Sequence, residues 1–264
     1  MRTMLFLGGG RITGALAAGL RLAGDKRVIT VYDRHPDKLR VLRRESRVEI
    51  VRDLKSAVRR AEMMVLAVRP SSAKELLREV SDCGALPEIC VSLAAGIPLK
   101  NLKSWLPSPA RWARAMPSPV CRIGRGLTAL CFDRRVSSSD REKVRKMFER
   151  VGQVVEVPES SFDAFTATYS SSHGYHALAT LAHAAQDAGL DGETALIAAA
   201  HAVADGIQYW KESGLSLEEL LEEAATPGGI ASTTMKAMNR AGYVRAVNAG
   251  LRAGIAQATK NAKQ

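Results

Sequence analysis

The 264-residue sequence predicts an α/β protein: a parallel sheet covered by helices on both faces, followed by an all-α second part. Three observations predict it. As far as residue 157, short β-rich runs alternate with amphipathic stretches. Most of those runs are apolar at nearly every position, the pattern of strands buried on both faces. From Phe162 onward strand signal almost vanishes and alanine dominates, as at Ala177, Ala179, Ala182, Ala184, Ala185, Ala188, Ala195 and Ala198–Ala200. Small side chains of that kind let helices pack closely, in a bundle or an intimate interface.

In order, Met4–Leu7 is a short apolar strand that runs into Gly8, Gly9 and Gly10. Thr13–Ala23 follows as a helix and Val28–Tyr32 as a β-branched second strand. Pro36–Arg44 is a helix opened by proline, whose missing N–H is no loss in a first turn. Val48–Val51 is a third strand, Leu54–Arg60 a helix, Met63–Val68 a fourth strand, Ser72–Val80 a helix and Ile89–Leu93 a fifth strand. Strand-like pieces recur at Arg111–Met116, Gly126–Phe132 and Gln153–Val157, with a charged helix near 138–150. The change of texture after Val157-Pro158 places a boundary there, giving domains 1–158 and 159–264. Gln257–Gln264 reads as a frayed tail.

Composition removes several functional classes. Apolar residues make up 46% and no apolar run approaches twenty residues, so no membrane span is expected. Met4–Leu7 is too short for a secretory signal, which makes the cytoplasm the expected compartment. Cys83, Cys90, Cys121 and Cys131 match no zinc or redox spacing, and no metal is expected. Charge is uneven: 31 Lys+Arg against 15 Asp+Glu in the first 150 residues, 7 against 12 afterwards. The basic residues alternate with acids and apolar positions, as in Asp140–Lys146, which reads as a solvated helix face rather than a nucleic-acid surface. A basic half that holds an anionic cofactor accounts for the asymmetry.

The segment Leu7-Gly8-Gly9-Gly10-Arg11-Ile12-Thr13-Gly14 leaves a strand and opens a helix. In that context glycines serve a dinucleotide: Gly8 permits the tight turn, and Gly10 lets the Arg11 and Ile12 amides approach a pyrophosphate. The third glycine of the G-x-G-x-x-G pattern is Thr13 here, with Gly14 one residue late. At the end of the second strand, Asp33 could bind the ribose hydroxyls of NADH, and Arg34 could pair with the 2′-phosphate of NADPH. The basic domain tips this towards NADPH, with NADH as the alternative. These features predict a Rossmann dinucleotide-binding domain followed by an all-α domain suited to a bundle or an intimate dimer interface.

Several further segments resemble the pyrroline-5-carboxylate reductase family. Phe6–Gly10 resembles its opening loop, and Val65-Leu66-Ala67-Val68-Arg69-Pro70 its "LAVKP" segment. Val91–Ile97 resembles its "SIAAGI" strand end and Arg114–Pro119 its "RxMPN" turn. Glu159 with Asp163–Ala167 is similar to "E…DAxTA", and Thr226-Pro227-Gly228-Gly229 to "SPGGTT". The resemblance implies an NAD(P)H-dependent imine reductase that is a homodimer, with larger assemblies of dimers left open. It implies a nicotinamide site at Ala67, Val68, Arg69, Pro70, Ala95 and Gly96, beside the start of the interdomain helix. It also implies substrate contacts from Ser171 and Ser172, from Pro227, Gly228, Gly229 and Ile230, and from Thr233 and Thr234. Backbone N–H groups of the Pro-Gly-Gly loop would hold the carboxylate of a cyclic imine.

Departures gather at the substrate end. Tyr169–Tyr175 replaces the family's "SGSGPAY", Ile230-Ala231 replaces its two threonines, and Ser118 stands where asparagine is usual. Tyr169, Ser172, His173 and His176 recur at helical spacing, making His173 and Tyr169 candidate proton donors to the product amine. The expected reaction is reduction of a cyclic imino acid, most simply pyrroline-5-carboxylate to proline. A reductase of the same fold acting on another C=N substrate is the second reading, and a non-catalytic dinucleotide-binding protein the third.

Overall fold

The computed structural model describes residues 3–263, and all their side chains except those of residues 36–38. The apolar runs of the first half become strands of one 8-stranded sheet. In chain order these elements are β1 (Thr3–Leu7), α1 (Arg11–Leu22), β2 (Val28–Tyr32), α2 (Pro36–Ser46), β3 (Glu49–Ile50), α3 (Leu54–Arg60), β4 (Met63–Leu66) and α4 (Pro70–Ser81). They continue with β5 (Ile89–Ser92), α5 (Leu99–Trp105), β6 (Arg111–Pro117), β7 (Gly126–Phe132), α6 (Ser138–Glu149), β8 (Gly152–Glu156) and α7 (Phe162–Thr168).

Strand order is β3-β2-β1-β4-β5-β6-β7-β8. Alternation along each strand divides the core between two faces. Met4, Phe6, Val65 and Val91 face α1, α2 and α6 through Leu16, Leu20, Leu39, Leu42, Val144 and Phe148. Leu5, Leu7, Met64, Leu66 and Cys90 face α3, α4 and α5 through Val58, Leu76, Leu77, Val80 and Leu102. Continuous apolar strands are thereby required, since each residue meets a helix layer on one side or the other.

The sheet is mixed, which corrects the expectation of a parallel one: β6 pairs antiparallel with β7, while all other pairings are parallel. The link between them is a short 3₁₀ turn, Pro119–Ile123, and so brief a connection reaches only an antiparallel neighbour. Ser118 caps that turn, its hydroxyl accepting from the Val120 N–H at 3.3 Å.

The chain forms two compact units, Met1–Tyr169 with Ala253–Gln264, and Ser170–Arg252. The division falls later than the expected boundary at 158 because α7 packs on the first unit, burying Phe162 in its core. The second unit holds α8 (Ser171–Asp187), α9 (Gly192–Ser213), α10 (Leu217–Ala224), α11 (Ile230–Arg240) and most of α12 (Tyr243–Asn261). The end of α12 belongs to the first unit. Ala258 is buried there, the Asn261 amide donates to the Ala95 carbonyl at 3.3 Å, and Asn101 donates to Ala262 O at 2.7 Å. Over residues 257–263 the expected frayed tail is therefore a packed helix end and turn, while Gln264 lies outside the described residues.

Candidate cofactor and substrate sites

The carboxyl ends of β2, β1, β4 and β5 lie side by side; the chain runs outward from β1 through β2 to β3, then crosses back to place β4 on the other side of β1. Such a reversal opens a crevice at the strand ends, where dinucleotides bind in this architecture. Backbone bonds knit its loops together: Gly8 N–H to Tyr32 O at 2.7 Å, Ala67 N–H to Leu7 O at 2.8 Å, and Leu93 N–H to Leu66 O at 2.8 Å.

Within this frame the glycines have separate tasks. Gly8 sits at φ +111°, and a Cβ on it would lie 2.7 Å from the Ala67 carbonyl oxygen. Gly10 is the N-cap of α1, and a Cβ on it would meet nothing within 4 Å. The space above the helix start is therefore open, with no side-chain cap and no acid in the first turn. In contrast, Asp53, Ser137, Asp191 and Ser216 cap α3, α6, α9 and α10 with their own oxygens. An uncapped helix start presents N–H groups and positive dipole to an anion, which fits a pyrophosphate held by the Arg11 and Ile12 amides.

Thr13, where a third glycine was sought, is fully buried and donates its hydroxyl to Gly8 O at 2.6 Å, tying the helix to the loop. The close helix packing that such a glycine would serve occurs instead at Gly19, where a Cβ would collide with Cys121 O at 2.1 Å. Gly96, at φ +78°, is likewise needed for packing, because a Cβ would stand 2.4 Å from Ala258 O. Asp33 accepts from the Gly9 N–H at 2.6 Å and the His35 N–H at 2.7 Å, clamping the glycine loop to the end of β2. Arg34 reaches α4, where it pairs with Glu75 and Glu79. Arg69 and Pro70 open α4, again without a side-chain cap.

A feature not foreseen from the sequence joins two of the family-like motifs. Arg114 on β6 is 2% exposed, donates to Glu159 at 3.0 Å and Asp163 at 2.7 Å, and lies 4.2 Å from the centre of the Phe162 ring. Glu159 also accepts from the Leu99 N–H and from the Cys131 thiol. Burial foremost, then the Glu159 carboxylate, pushes that thiol up to about 12. It is thus an inert hydrogen-bond donor at neutral pH.

Tyr169 is the C-cap of α7, not part of α8, so it does not share a helix face with Ser172, His173 and His176. Its hydroxyl accepts from the Leu127 N–H at 2.7 Å. In the second unit, Ser170 caps α8, with Ser171, Ser172 and His173 forming its first turn. The Pro227-Gly228-Gly229 turn ends in an N-cap glycine, with Gly228 at φ +78° and no side-chain cap or acid on the first turn of α11. Ile230, the first residue of that helix, is 88% exposed. Thr233 donates its hydroxyl to Gly229 O at 3.0 Å, while Thr234 is exposed.

Strand order and domain sequence define a class, a Rossmann-type α/β domain joined to a helical one. Residues 3–96 match the family of coenzyme F420-dependent NADP oxidoreductases, and residues 159–261 match the pyrroline-5-carboxylate reductase dimerisation family. The chain belongs to the pyrroline-5-carboxylate reductase family. The enzyme of that name from Mycobacterium tuberculosis is 29% identical over 96% of this chain and 94% of its own. The one from Mycobacterium leprae is 35% identical over 72% of this chain and 66% of its own. The structure of a pyrroline carboxylate reductase from Plasmodium falciparum, solved with NADP bound, matches 99% of this chain and 98% of its own with a TM-score of 0.88 at 19% identity, a likeness of fold.

Proposed function

We propose that this chain is a pyrroline-5-carboxylate reductase, an NAD(P)H-dependent oxidoreductase that reduces the C=N bond of the cyclic imino acid to give proline. The observation that carries the reading is the pair of helices that start from a glycine N-cap with no side-chain cap and no acid in the first turn, α1 after Gly8–Gly10 and α11 after Pro227–Gly229. Each is an anion cradle of bare amides, one suited to a pyrophosphate and the other to a substrate carboxylate. The whole-length likeness to reductases of that name supports the same assignment.

NADPH supplies the hydride when bound. Gly8, Gly10, Arg11 and Ile12 would hold its pyrophosphate, Asp33 and Arg34 its adenosine ribose end, and Ala67–Pro70 with Ala95 and Gly96 its nicotinamide. A protonated imine carbon is already electrophilic, so the chain's work is chiefly to position and to exclude alternatives. Pro227, Gly228, Gly229 and Ile230 would orient the carboxylate, and Ser171 and Ser172 on α8 with Thr233 and Thr234 on α11 would supply further substrate contacts. The Tyr169 hydroxyl oxygen accepts from the Leu127 amide and keeps its own proton to give, so Tyr169 and His173 both stand as proton-donor candidates.

The dimerisation family match supports a homodimer. Among the described residues no helix is long and apolar enough to cross a membrane, and we place the enzyme in the cytoplasm. Oxidation of NADPH and NADH by purified protein with pyrroline-5-carboxylate tests the proposal. Turnover with kcat/KM on the order of 10⁴ M⁻¹s⁻¹ or above is expected. Cofactor binding without turnover would favour the second reading, a different imine, which Ile230 supports by presenting an apolar side chain at the carboxylate cradle.

A further inference from the structure

Arg34 is the cation that the sequence offers to a 2′-phosphate, yet in the structure its fork is already engaged. One terminal nitrogen stands 3.4 Å from Glu75 and the other pairs with Glu79. Glu75 and Glu79 lie four residues apart on α4, on one face of the helix, where two like charges repel. A single guanidinium bridging them removes that repulsion. The bridge is built for exchange, since Arg34 is half exposed and both carboxylates reach solvent, at 68% and 36%. Ion pairs so exposed are individually weak.

We propose that Glu75 and Glu79 are a latch on Arg34 that sets how strongly the protein distinguishes NADPH from NADH. This rests on the cofactor reading given above. A 2′-phosphomonoester must draw the guanidinium away from two carboxylates and sit close to their negative charge. The unphosphorylated cofactor has no group that competes for Arg34 and leaves the latch closed. Asp33 plays the other part: through the Gly9 and His35 amides it holds the glycine loop in place for either cofactor. The latch makes discrimination by Arg34 weaker than a free arginine would give, and makes it adjustable from α4.

The test is a binding cycle on the full-length protein, measuring Kd for NADPH and for NADH by calorimetry. E75Q/E79Q is expected to tighten NADPH by about three- to tenfold and to leave NADH within about twofold. R34A is expected to weaken NADPH by about tenfold or more, with NADH unchanged. In the R34A background the two glutamine substitutions should change NADPH binding by less than about twofold, since the latch has nothing left to hold. An unchanged NADPH/NADH ratio in E75Q/E79Q would overturn the proposal. So would an equal gain with and without Arg34, which would make the glutamates a diffuse negative field. Wild-type protein that binds neither cofactor would overturn the cofactor reading itself, an outcome distinct from both. All three positions are on the surface, and unchanged thermal midpoints would verify that the variants are folded.

Discussion

Gly8 and Gly10 are two residues apart and carry opposite burdens. At Gly8 any side chain meets both an unfavourable φ and a backbone oxygen, so Gly8→Ala is expected to destabilise the fold by roughly 1–3 kcal/mol or more. At Gly10 a side chain enters open space at an ordinary φ. Gly10→Val is therefore expected to keep its unfolding midpoint within a few degrees while losing NADPH affinity by about 100-fold or more, because the branched side chain fills the cradle. Parallel thermal melts and cofactor titrations on the two variants check this; loss of binding and of stability together in Gly10→Val would contradict it. Another residue sets an acid limit. Asp133 is 6% exposed, and burial alone would raise its pKa. The Lys103 ammonium, with the Arg135 amide and guanidinium, outweighs that and holds it at about 2. The folded value lies below the unfolded one near 4, so this stabilisation is complete above pH 4 and is lost as pH falls from 4 towards 2. Asp133→Asn is expected to be less stable at pH 7 by on the order of 2 kcal/mol and to flatten the loss between pH 4 and pH 2, as read by urea unfolding.

At the scale of elements, the decisive joint is between β6 and α7. Arg114 is sealed from water, whereas Glu159 and Asp163 are 37% and 31% exposed and can turn outward. Removing the acids strands a buried cation; removing the arginine frees two carboxylates that solvent can accept. Glu159→Gln with Asp163→Asn is therefore expected to cost about 3–5 kcal/mol, and Arg114→Met about 1–2, in chemical denaturation. The reverse ranking would show that the guanidinium is not the group that needs compensation. This joint also marks where sequence reading stops. Periodicity located β1, β2, β4, β5 and the helices on both faces, because burial on two sides leaves an apolar signature in each strand. The sense of β7 left none, since a strand reads the same in both directions. Arg114 finds its partners 45 and 49 residues away, a distance over which residue type alone gives no pairing. At the nucleotide loop the glycine pattern did locate the turn. The use of Thr13 as a tie, and of Gly19 and Gly96 as packing positions, depended on neighbours from other elements.

For the whole molecule the contrast between the two units is one of self-sufficiency. The first has a core on each face of its sheet. Among the described residues of Ser170–Arg252, the buried apolar side chains are Ala182, Ala195 and Ala199, while Leu196, Ile197, Ile207, Tyr209, Trp210, Leu217 and Leu221 are exposed. Three alanines do not make a core, and helices that display so much apolar surface require a second copy to cover it. The denaturation midpoint is thus expected to rise with protein concentration over the range from 0.1 to 10 µM, about an order of magnitude on either side of a micromolar monomer. A midpoint independent of concentration, with monomer in sedimentation, would show that the second unit is stable alone.

The return of α12 to the first unit has a practical consequence for anyone who wishes to take the chain apart. A polypeptide stopped at Tyr169 would lack the turn of helix against which Gly96 is shaped, and the helical unit would carry away a piece that is not its own. No single cut yields both modules. A chimera that grafts this helical unit onto a foreign nucleotide-binding domain needs two junctions, near 169 and near 252.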